Sequence, residues 1–136
     1  MIEKTFAIIK PDAVKSKFSG KIIDRIEQEG FNIIGMKKLH MTKSQAEAFY
    51  VVHKERPFYA ELTAFMCSNP VIVMVIEKEC AIKDWRDLMG ATDPAQAAPN
   101  TLRKLFAKNK GENALHGSDA PETAKDEIRF FFSEIN

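Results

Sequence analysis

A histidine near the end of the 136-residue chain is the first candidate for chemistry. His116 follows Ala-Leu and precedes a Gly-Ser-Asp turn, in the segment from Asn113 to Glu122. An imidazole, whose ordinary pKa is about 6.5, is mostly neutral near neutral pH and can then act as a nucleophile without a strong base. A single histidine beside glycine is more often an ordinary loop residue. The local sequence therefore nominates His116 but does not assign it a role.

Positive charges that would suit an anionic ligand occur at Lys10, Arg86 and Arg103. The planar guanidinium of arginine contacts two phosphate oxygens at once, and Thr92 would add a neutral donor. Most Lys and Arg side chains are solvated surface charges, so each position also has an ordinary structural explanation. The chain contains neither G-x-x-x-x-G-K-[ST] nor G-x-G-x-x-G. Side chains rather than a glycine-rich loop would therefore have to bind phosphates.

Composition limits the classes of partner. The formal net charge is +1, from 20 basic and 19 acidic residues, which predicts no global attraction to nucleic acid or to an anionic membrane. Cys67 and Cys80 have no metal-binding spacing and suit a reducing compartment. No signal peptide precedes the first strand, and the longest aliphatic run, Val71 to Ile76, is too short to span a bilayer. We expect one cytoplasmic domain over residues 1–136.

The strands that would position these groups are marked by hydrophobic pattern. Four segments are predicted as strands: Thr5–Lys10, Phe31–Leu39, Val71–Ile76 and about Asn113–Leu115. The first and third lack polar alternation, which indicates burial on both faces. Gly35 is a plausible β-bulge. Lys10 then lies at the end of a buried strand, and the last strand leads directly to His116.

Capping signals and apolar spacing predict the helices. They are Lys21–Glu29, Thr42–Tyr50, about Tyr59–Cys67, a segment through Ile82, Trp85 and Met89, and a segment from Asp119 through Phe131. Thr42 and Gln45 form a capping box pattern. Asp119 is the expected N-cap of the last helix, with Pro121 in its first turn and Glu122 completing a second capping box.

The order of elements predicts an α+β fold. Without the helical hairpin that follows Thr42, the order is β-α-β-β-α-β, which is typical of a ferredoxin-like sandwich with a four-stranded antiparallel sheet and helices on one face. Periodicity alone leaves a flavodoxin-like fold as the alternative. The stretch from Ala91 to Glu112 reads as a long irregular loop with one helical turn at Leu102–Phe106, and loops of that length are usually functional or disordered.

Five motifs, in order and across essentially the whole chain, resemble those of nucleoside diphosphate kinases of the bacterial type with a short C-terminus. They are Ile9–Val14, His53–Tyr59, Leu88–Pro94, Thr101–Arg103 and Asn113–Asp119. The resemblance implies that His116 accepts the γ-phosphoryl group of a nucleoside triphosphate as a phosphohistidine. It then transfers this group to a nucleoside diphosphate in a ping-pong reaction, with tolerance of base and sugar. The long loop would be the nucleotide-binding loop.

The resemblance also assigns the other site residues. Beside His116 it implies catalytic roles for Lys10, Tyr50, Ser118 and Glu127, and nucleotide contacts from Lys10, Phe58, Arg86, Thr92, Arg103 and Asn113. Lys10 would contact the transferred phosphate and a ribose hydroxyl, Asn113 the ribose, and Phe58 the base. Tyr50 and Glu127 would orient or polarise the histidine. Mg²⁺ would be held through nucleotide phosphates without a protein metal site, and the protein would be a homo-oligomer, tetramer or hexamer, built from dimers.

Several positions depart from the family pattern and leave local questions open. Ala120 replaces a common Ser, Asn100 a common Gly, Lys104-Leu105 a small-plus-acidic pair, and Lys78 a Gly. Asn at position 100 still tolerates a left-handed backbone. These changes concern loop packing and subunit contacts.

Two other classes of protein are alternatives to a phosphotransferase. The first is a family member that serves only as a nucleotide- or protein-binding regulator, against which the retained His116, Lys10 and arginines argue. The second is a ferredoxin-like RNA-binding module, for which the chain lacks an aromatic-rich strand motif and a basic charge. His40 and His53 lie outside the catalytic motif, and the sequence does not say which nitrogen of His116 reacts.

Overall fold

The computed structural model describes residues 1–135, and a four-stranded antiparallel sheet lies at its centre. The strands are β1 (Ile2–Ile9), β2 (Asn32–Leu39), β3 (Val71–Glu79) and β4 (Leu115–Gly117). Their order across the sheet is β2-β3-β1-β4. The antiparallel pairing confirms the ferredoxin-like α+β prediction and excludes the flavodoxin-like alternative, whose sheet is parallel.

Seven α-helices connect or flank the strands within the described residues. They are α1 (Pro11–Lys15), α2 (Ser19–Gln28), α3 (Lys43–Phe49), α4 (Tyr59–Met66), α5 (Ala81–Met89), α6 (Leu102–Phe106) and α7 (Pro121–Phe131). Short 3₁₀ turns occupy Val51–His53 and Pro94–Gln96. The sequence predicted all but α1, which begins where Pro11 ends β1. None of these helices is long and apolar enough to cross a membrane.

Helices cover both faces of the sheet, which corrects the expectation of a single helical face. Ala7 and Ile9 of β1 point into a core shared with Trp85 of α5, while Phe6 and Ile8 point into a second core built by α3, α4 and α7. The continuous apolar character of β1 and β3 already implied this, because a strand buried on both faces needs two covering layers. A covered sheet offers no open face of the kind that RNA-binding modules use.

Three local predictions from the sequence are confirmed. The pairing of β2 with β3 shifts register between Ile33 and Gly35, which is the expected bulge. The side chain of Thr42 accepts a hydrogen bond from the backbone N–H of Gln45, and the Gln45 side chain accepts one from the Thr42 N–H, so the capping box is complete. Asn100 has a φ of 71°, the left-handed conformation that Asn tolerates.

The start of α7 differs from the prediction. Its N-cap is Ala120 rather than Asp119, and no side chain caps it. The predicted second capping box is therefore wrong. The reason lies one residue earlier, where the Ser118 N–H donates to the Phe6 carbonyl at 3.2 Å and keeps the chain beside β1. The helix begins only at Pro121, so the Ala120 departure leaves this helix start without a side-chain cap.

The last strand lies two residues later than predicted. It covers Leu115–Gly117, so His116 is inside β4 and pairs with Ile8 rather than following the strand. Ala114 has a φ of 73°, which is incompatible with an extended strand. Asn113 and Ala114 therefore form a turn that precedes β4. This turn directly precedes the strand that carries His116.

Candidate active site

His116 lies at the end of the sheet and forms a hydrogen bond to a carboxylate. Its Nε2 is 3.0 Å from Oε1 of Glu127, a residue of α7, and the Ser118 hydroxyl donates to the same oxygen at 2.7 Å. A carboxylate only accepts hydrogen bonds, so Nε2 must carry the proton in this pair. The lone pair of the neutral ring is then on Nδ1. The structure thus brings three predicted residues together and distinguishes the two ring nitrogens.

Aromatic rings hold the imidazole in place. The ring of His116 makes edge contacts with Phe6, Phe49 and Tyr50, at centroid distances of 6.3, 5.5 and 6.2 Å. The Tyr50 hydroxyl is buried and has no hydrogen-bond partner among the described residues. Burial, with a smaller effect from the charge of Glu127, raises the pKa of Tyr50 far above its usual value. Tyr50 therefore keeps a neutral hydroxyl, and its ring packs perpendicular to the imidazole.

Lys10 is a buried cation beside this histidine strand. It follows β1 directly, only 8% of its surface is exposed, and its Nζ donates to Oδ1 of Asn113 at 2.9 Å. The amide of Asn113 in turn donates to the carbonyls of Thr92 at 3.4 Å and Lys110 at 3.1 Å. Asn113 thereby joins the end of β1 to the long loop. Both side chains are held by protein groups before any ligand binds.

The surroundings of Lys10 lower the pKa of its side chain. Burial and, to a lesser extent, the nearby guanidinium of Arg103 lower its pKa to about 8, while the charge of the Asp12 carboxylate partly opposes them. A buried ammonium without a close counter-ion is unfavourable, because the low-dielectric interior penalises the charge. An anionic ligand at this point would supply the missing counter-charge.

Arg103 of α6 is also buried, and backbone carbonyls surround it. Its guanidinium donates to the carbonyl oxygens of Asn113 at 3.2 Å, Gly90 at 3.0 Å and Leu115 at 2.8 Å. Burial, and then the charge of Arg86, lowers its pKa to about 10. Arg86 itself is exposed on α5. The repulsion between the charges of the two arginines would be relieved by a polyanionic ligand.

Phe58 lies at the exposed side of the candidate site. Its ring is 48% exposed and contacts the ring of His53 at a centroid distance of 5.4 Å. His53 in turn stacks on Tyr50 at 6.4 Å, so a series of rings connects Phe58 to the surroundings of His116. Thr92 is likewise exposed. Phe58 is available to a planar ligand, as predicted for a base-stacking residue.

Sequence reasoning missed how the backbone of β4 is supported. Trp85, part of the apolar spacing that predicts α5, is fully buried and also donates its indole N–H to the His116 carbonyl at 3.3 Å. A Cβ at Gly117 would lie 2.6 Å from the Trp85 ring, so glycine is required there by close packing. Asp12, inside the motif Ile9–Val14, accepts a hydrogen bond from the Ala114 N–H. No sequence signal connects these two positions, which are 102 residues apart.

The chain is similar to proteins of one known family over nearly its whole length. Residues 3–136 match the family model described as nucleoside diphosphate kinase. The chain is 64% identical over 134 residues to the nucleoside diphosphate kinase of Trichlorobacter lovleyi, covering 98% of this chain and 97% of that protein. It is 61% identical over 134 residues to that of Desulfotalea psychrophila, covering 98% of each.

Solved structures of the same kind are similar throughout. The nucleoside diphosphate kinase of Aquifex aeolicus superposes with a TM-score of 0.95 at 48% identity, covering 97% of this chain and 96% of that one. The Halobacterium salinarum enzyme, solved in complex with CDP, gives a TM-score of 0.93 at 37% identity, covering 97% and 88%. The fold, including the inserted hairpin and the long loop, is therefore shared with these structures.

Proposed function

The chain belongs to the nucleoside diphosphate kinase family, and we propose that it transfers the γ-phosphoryl group between nucleotides through a phosphohistidine at Nδ1 of His116. It is a phosphotransferase whose substrates are a nucleoside triphosphate and a nucleoside diphosphate. The observation that carries the proposed mechanism is the hydrogen bond between Nε2 of His116 and Glu127, since it leaves Nδ1 as the nucleophilic atom.

The proposed step forms one bond and breaks one. The Nδ1 lone pair attacks the γ-phosphorus, the bond from this phosphorus to the bridging oxygen breaks, and the nucleoside diphosphate leaves with the electron pair. Positive charge then develops on the imidazole, and Glu127 stabilises it through Nε2–H. The second half-reaction is the reverse, with a terminal oxygen of the acceptor diphosphate attacking the same phosphorus. Because donor product and acceptor have the same chemistry, one site serves both steps.

The cations of the site stabilise charge on the phosphates in this proposal. We propose that Lys10 contacts the transferred group and a ribose hydroxyl and that Asn113 contacts the ribose, which the hydrogen bond between the two side chains supports by holding them together. Arg86, Arg103 and Thr92 bind the remaining phosphates. In phosphoryl transfer, positioning and electrostatics provide most of the catalysis. The burial of Lys10 and Arg103 supports this assignment, because charges in a site without much water act more strongly on the reacting group.

Phe58 supports a broad specificity. Its exposed ring offers a π-face, and every purine or pyrimidine base has a matching one. We propose that base contact is made by this stacking, so that the protein accepts purine and pyrimidine nucleotides with ribose or deoxyribose. The Tyr50 ring and the Ser118 hydroxyl, which bonds to Glu127, complete the proposed catalytic group.

Mg²⁺ is compatible with this site when it enters with the nucleotide. Among residues 1–135, no group of three or more His, Cys, Asp or Glu side chains is placed to hold a metal ion. Lys10, Arg86 and Arg103, which we propose as the charged phosphate contacts, are hydrogen-bond donors and do not coordinate metals. Mg²⁺ prefers oxygen ligands and is commonly held by substrate phosphates, where it neutralises their charge. The homo-oligomeric assembly and the cytoplasmic location stay predictions.

A labelling experiment tests the proposal. We expect γ-labelled ATP to leave acid-labile, base-stable label on the wild-type protein, because a phosphoramidate has that stability profile. His116→Ala should carry no label. His40→Ala, which changes an exposed histidine immediately after β2, should be labelled normally. Any nucleoside diphosphate should discharge the label. Label that persists in His116→Ala would overturn the assignment of the nucleophile, and failure of pyrimidine diphosphates to discharge it would overturn the broad specificity.

A further inference from the structure

A backbone turn with positive φ lies immediately before the histidine strand. Ala114 is completely buried and has a φ of 73°. The N–H of Leu115 donates to the carbonyl of Asn113 at 2.9 Å, which closes a three-residue turn around Ala114. Turns of this kind with positive φ at the central residue are rare and strained, and a residue with a Cβ adopts them only when the surroundings enforce it.

Two contacts from the start of α1 enforce this conformation. The Lys10 N–H donates to the Ala114 carbonyl at 2.8 Å, and the Ala114 N–H donates to Oδ2 of Asp12 at 3.1 Å. The first contact continues the pairing of β1 with β4. The second is made by a side chain, so it depends on which residue stands at position 12. Both backbone polar groups of Ala114, its N–H and its C=O, are therefore hydrogen-bonded.

Asp12 is an unusual residue to bury. Only 7% of its surface is exposed, and its Oδ1 has no hydrogen-bond partner among the described residues. Burial raises the pKa of its carboxyl group, partly opposed by the charge of Lys10. A buried carboxylate with one unpaired oxygen is costly, and such a cost is usually compensated by a specific role. The contact with the Ala114 N–H is the role that the structure offers.

The turn connects the two parts of the candidate site. Asn113, which holds Nζ of Lys10, precedes Ala114, and His116 lies two residues after it. We propose that Asp12 is a positioning residue whose carboxylate holds the positive-φ turn at Ala114, and that this turn fixes Asn113 against Lys10 and sets the position of His116. The inference rests on the function proposed above, because it assigns Asp12 an effect on that reaction.

A cycle of variants tests whether Asp12 acts through the turn. Asp12→Ala removes the acceptor, and we expect kcat/KM to fall about 30-fold, a typical upper range for coupled neighbours. In the double variant Asp12→Ala/Ala114→Gly, glycine adopts the positive φ without help from the carboxylate, so we expect most of the loss to be recovered. Ala114→Gly alone provides the fourth corner. Asp24→Ala, which removes an exposed carboxylate on α2, is the matched control and should behave as wild type.

The conservative variant separates the turn from the charge of Asp12. Asp12→Asn keeps an oxygen that accepts from the Ala114 N–H but removes the negative charge that partly opposes the lowering of the Lys10 pKa by burial and by Arg103. We expect Asp12→Asn to stay within a few-fold of wild type at neutral pH, with the alkaline limb of the kcat/KM profile at lower pH. A loss in Asp12→Asn as large as in Asp12→Ala would overturn the proposal in favour of a charge effect on Lys10.

Failure of Ala114→Gly to rescue Asp12→Ala would also overturn the proposal, as would wild-type kinetics in Asp12→Ala. The denaturant midpoints of the same four proteins give a readout that needs no activity. The midpoint should be lower in Asp12→Ala than in wild type and should return towards the wild-type value in the double variant. If this coupling is observed while wild-type protein forms no phosphohistidine, the proposed function fails and the support of the turn by Asp12 stands. If Asp12→Ala does not fold, the kinetics of Asp12→Asn and the folding and activity of the double variant still test the proposal.

Discussion

The candidate site has two halves that the protein holds in different ways. The buried half consists of Lys10, Arg103 and Asn113, none more than 8% exposed, and each bonded to other groups of the protein. The exposed half consists of Phe58, Arg86 and Thr92, which lie at the surface. The buried half is preorganised by the fold, whereas the exposed half is available to the ligand but is not fixed by many contacts. Changes in the two halves should therefore have different consequences.

The difference has an electrostatic cause. In the buried half, water is excluded and the pKa values of Lys10 and Arg103 fall to about 8 and about 10. Holding these two cations together thus costs stability, which the charge of Asp12 offsets only in part. A bound polyphosphate would relieve this repulsion, so ligand binding should stabilise the fold chiefly through the buried half.

The largest effect is expected from removing the guanidinium of Arg103. Arg103→Met leaves three buried carbonyls without their donor, so we expect the free energy of unfolding to fall by about 2–4 kcal/mol and activity to fall at least about 100-fold. Chemical denaturation and steady-state kinetics measure the two. The matched variant Arg86→Met should raise KM for nucleotide about tenfold while leaving the unfolding curve almost unchanged. Equal destabilisation in both variants would contradict the division into halves.

A smaller effect, confined to binding, is expected at the base-stacking position. Phe58→Ala removes an exposed ring, and we expect KM to rise about tenfold for purine and pyrimidine substrates alike, with kcat and stability nearly unchanged. Val52→Ala, on the same hairpin and 82% exposed, is the control and should not alter KM. If only purine substrates were affected, stacking would not be the basis of the tolerance for bases.

The smallest effect is expected from pH acting on the buried half. Raising the pH through about 8 removes the proton from Lys10 in the free protein, and a neutral amine attracts phosphate less than an ammonium does. We therefore expect kcat/KM to fall about fivefold between pH 8 and pH 9, as a single group titrates. Lys10→Arg, whose side chain keeps its charge in this range, should lack that descending limb even if its activity is lower. An unchanged limb in Lys10→Arg would assign the titration to another group.

Much of the fold followed from patterns that need no tertiary information. Strands β1 and β3 contain the continuous apolar runs Phe6–Ile9 and Val71–Ile76, and α2, α3, α5 and α7 carry an apolar stripe or a cap. The errors fall where a distant contact outweighs the local signal. Asp119 is a residue type favoured at N-caps. The hydrogen bond from the Ser118 N–H to the Phe6 carbonyl keeps the chain beside β1, however, and the helix begins only at Pro121. Ala114 carries no sequence mark of a turn, yet contacts from Lys10 and Asp12 hold it there.

The site shows the same division. Its residues were predicted from the family resemblance, most of them inside the five motifs and Tyr50, Arg86 and Glu127 outside them, because a nucleophile, cations and an aromatic ring are chemical requirements that do not depend on the fold. Their arrangement was not recognisable. That Glu127 bonds to Nε2 and so leaves Nδ1 free, and that Arg103 binds three carbonyls, depends on how different elements, with partners 10 to 13 positions apart, pack against one another.

The sequence by itself therefore determined which groups are present, the order of the elements and the family to which the chain belongs. Only the tertiary structure decided which nitrogen of His116 is free, which cations are buried, and that Asp12 supports the backbone in front of the histidine. The physical reason is that propensity and periodicity act over a few residues, whereas burial, hydrogen-bond direction and pKa are set by neighbours that may be a hundred positions away, as Ala114 is from Asp12.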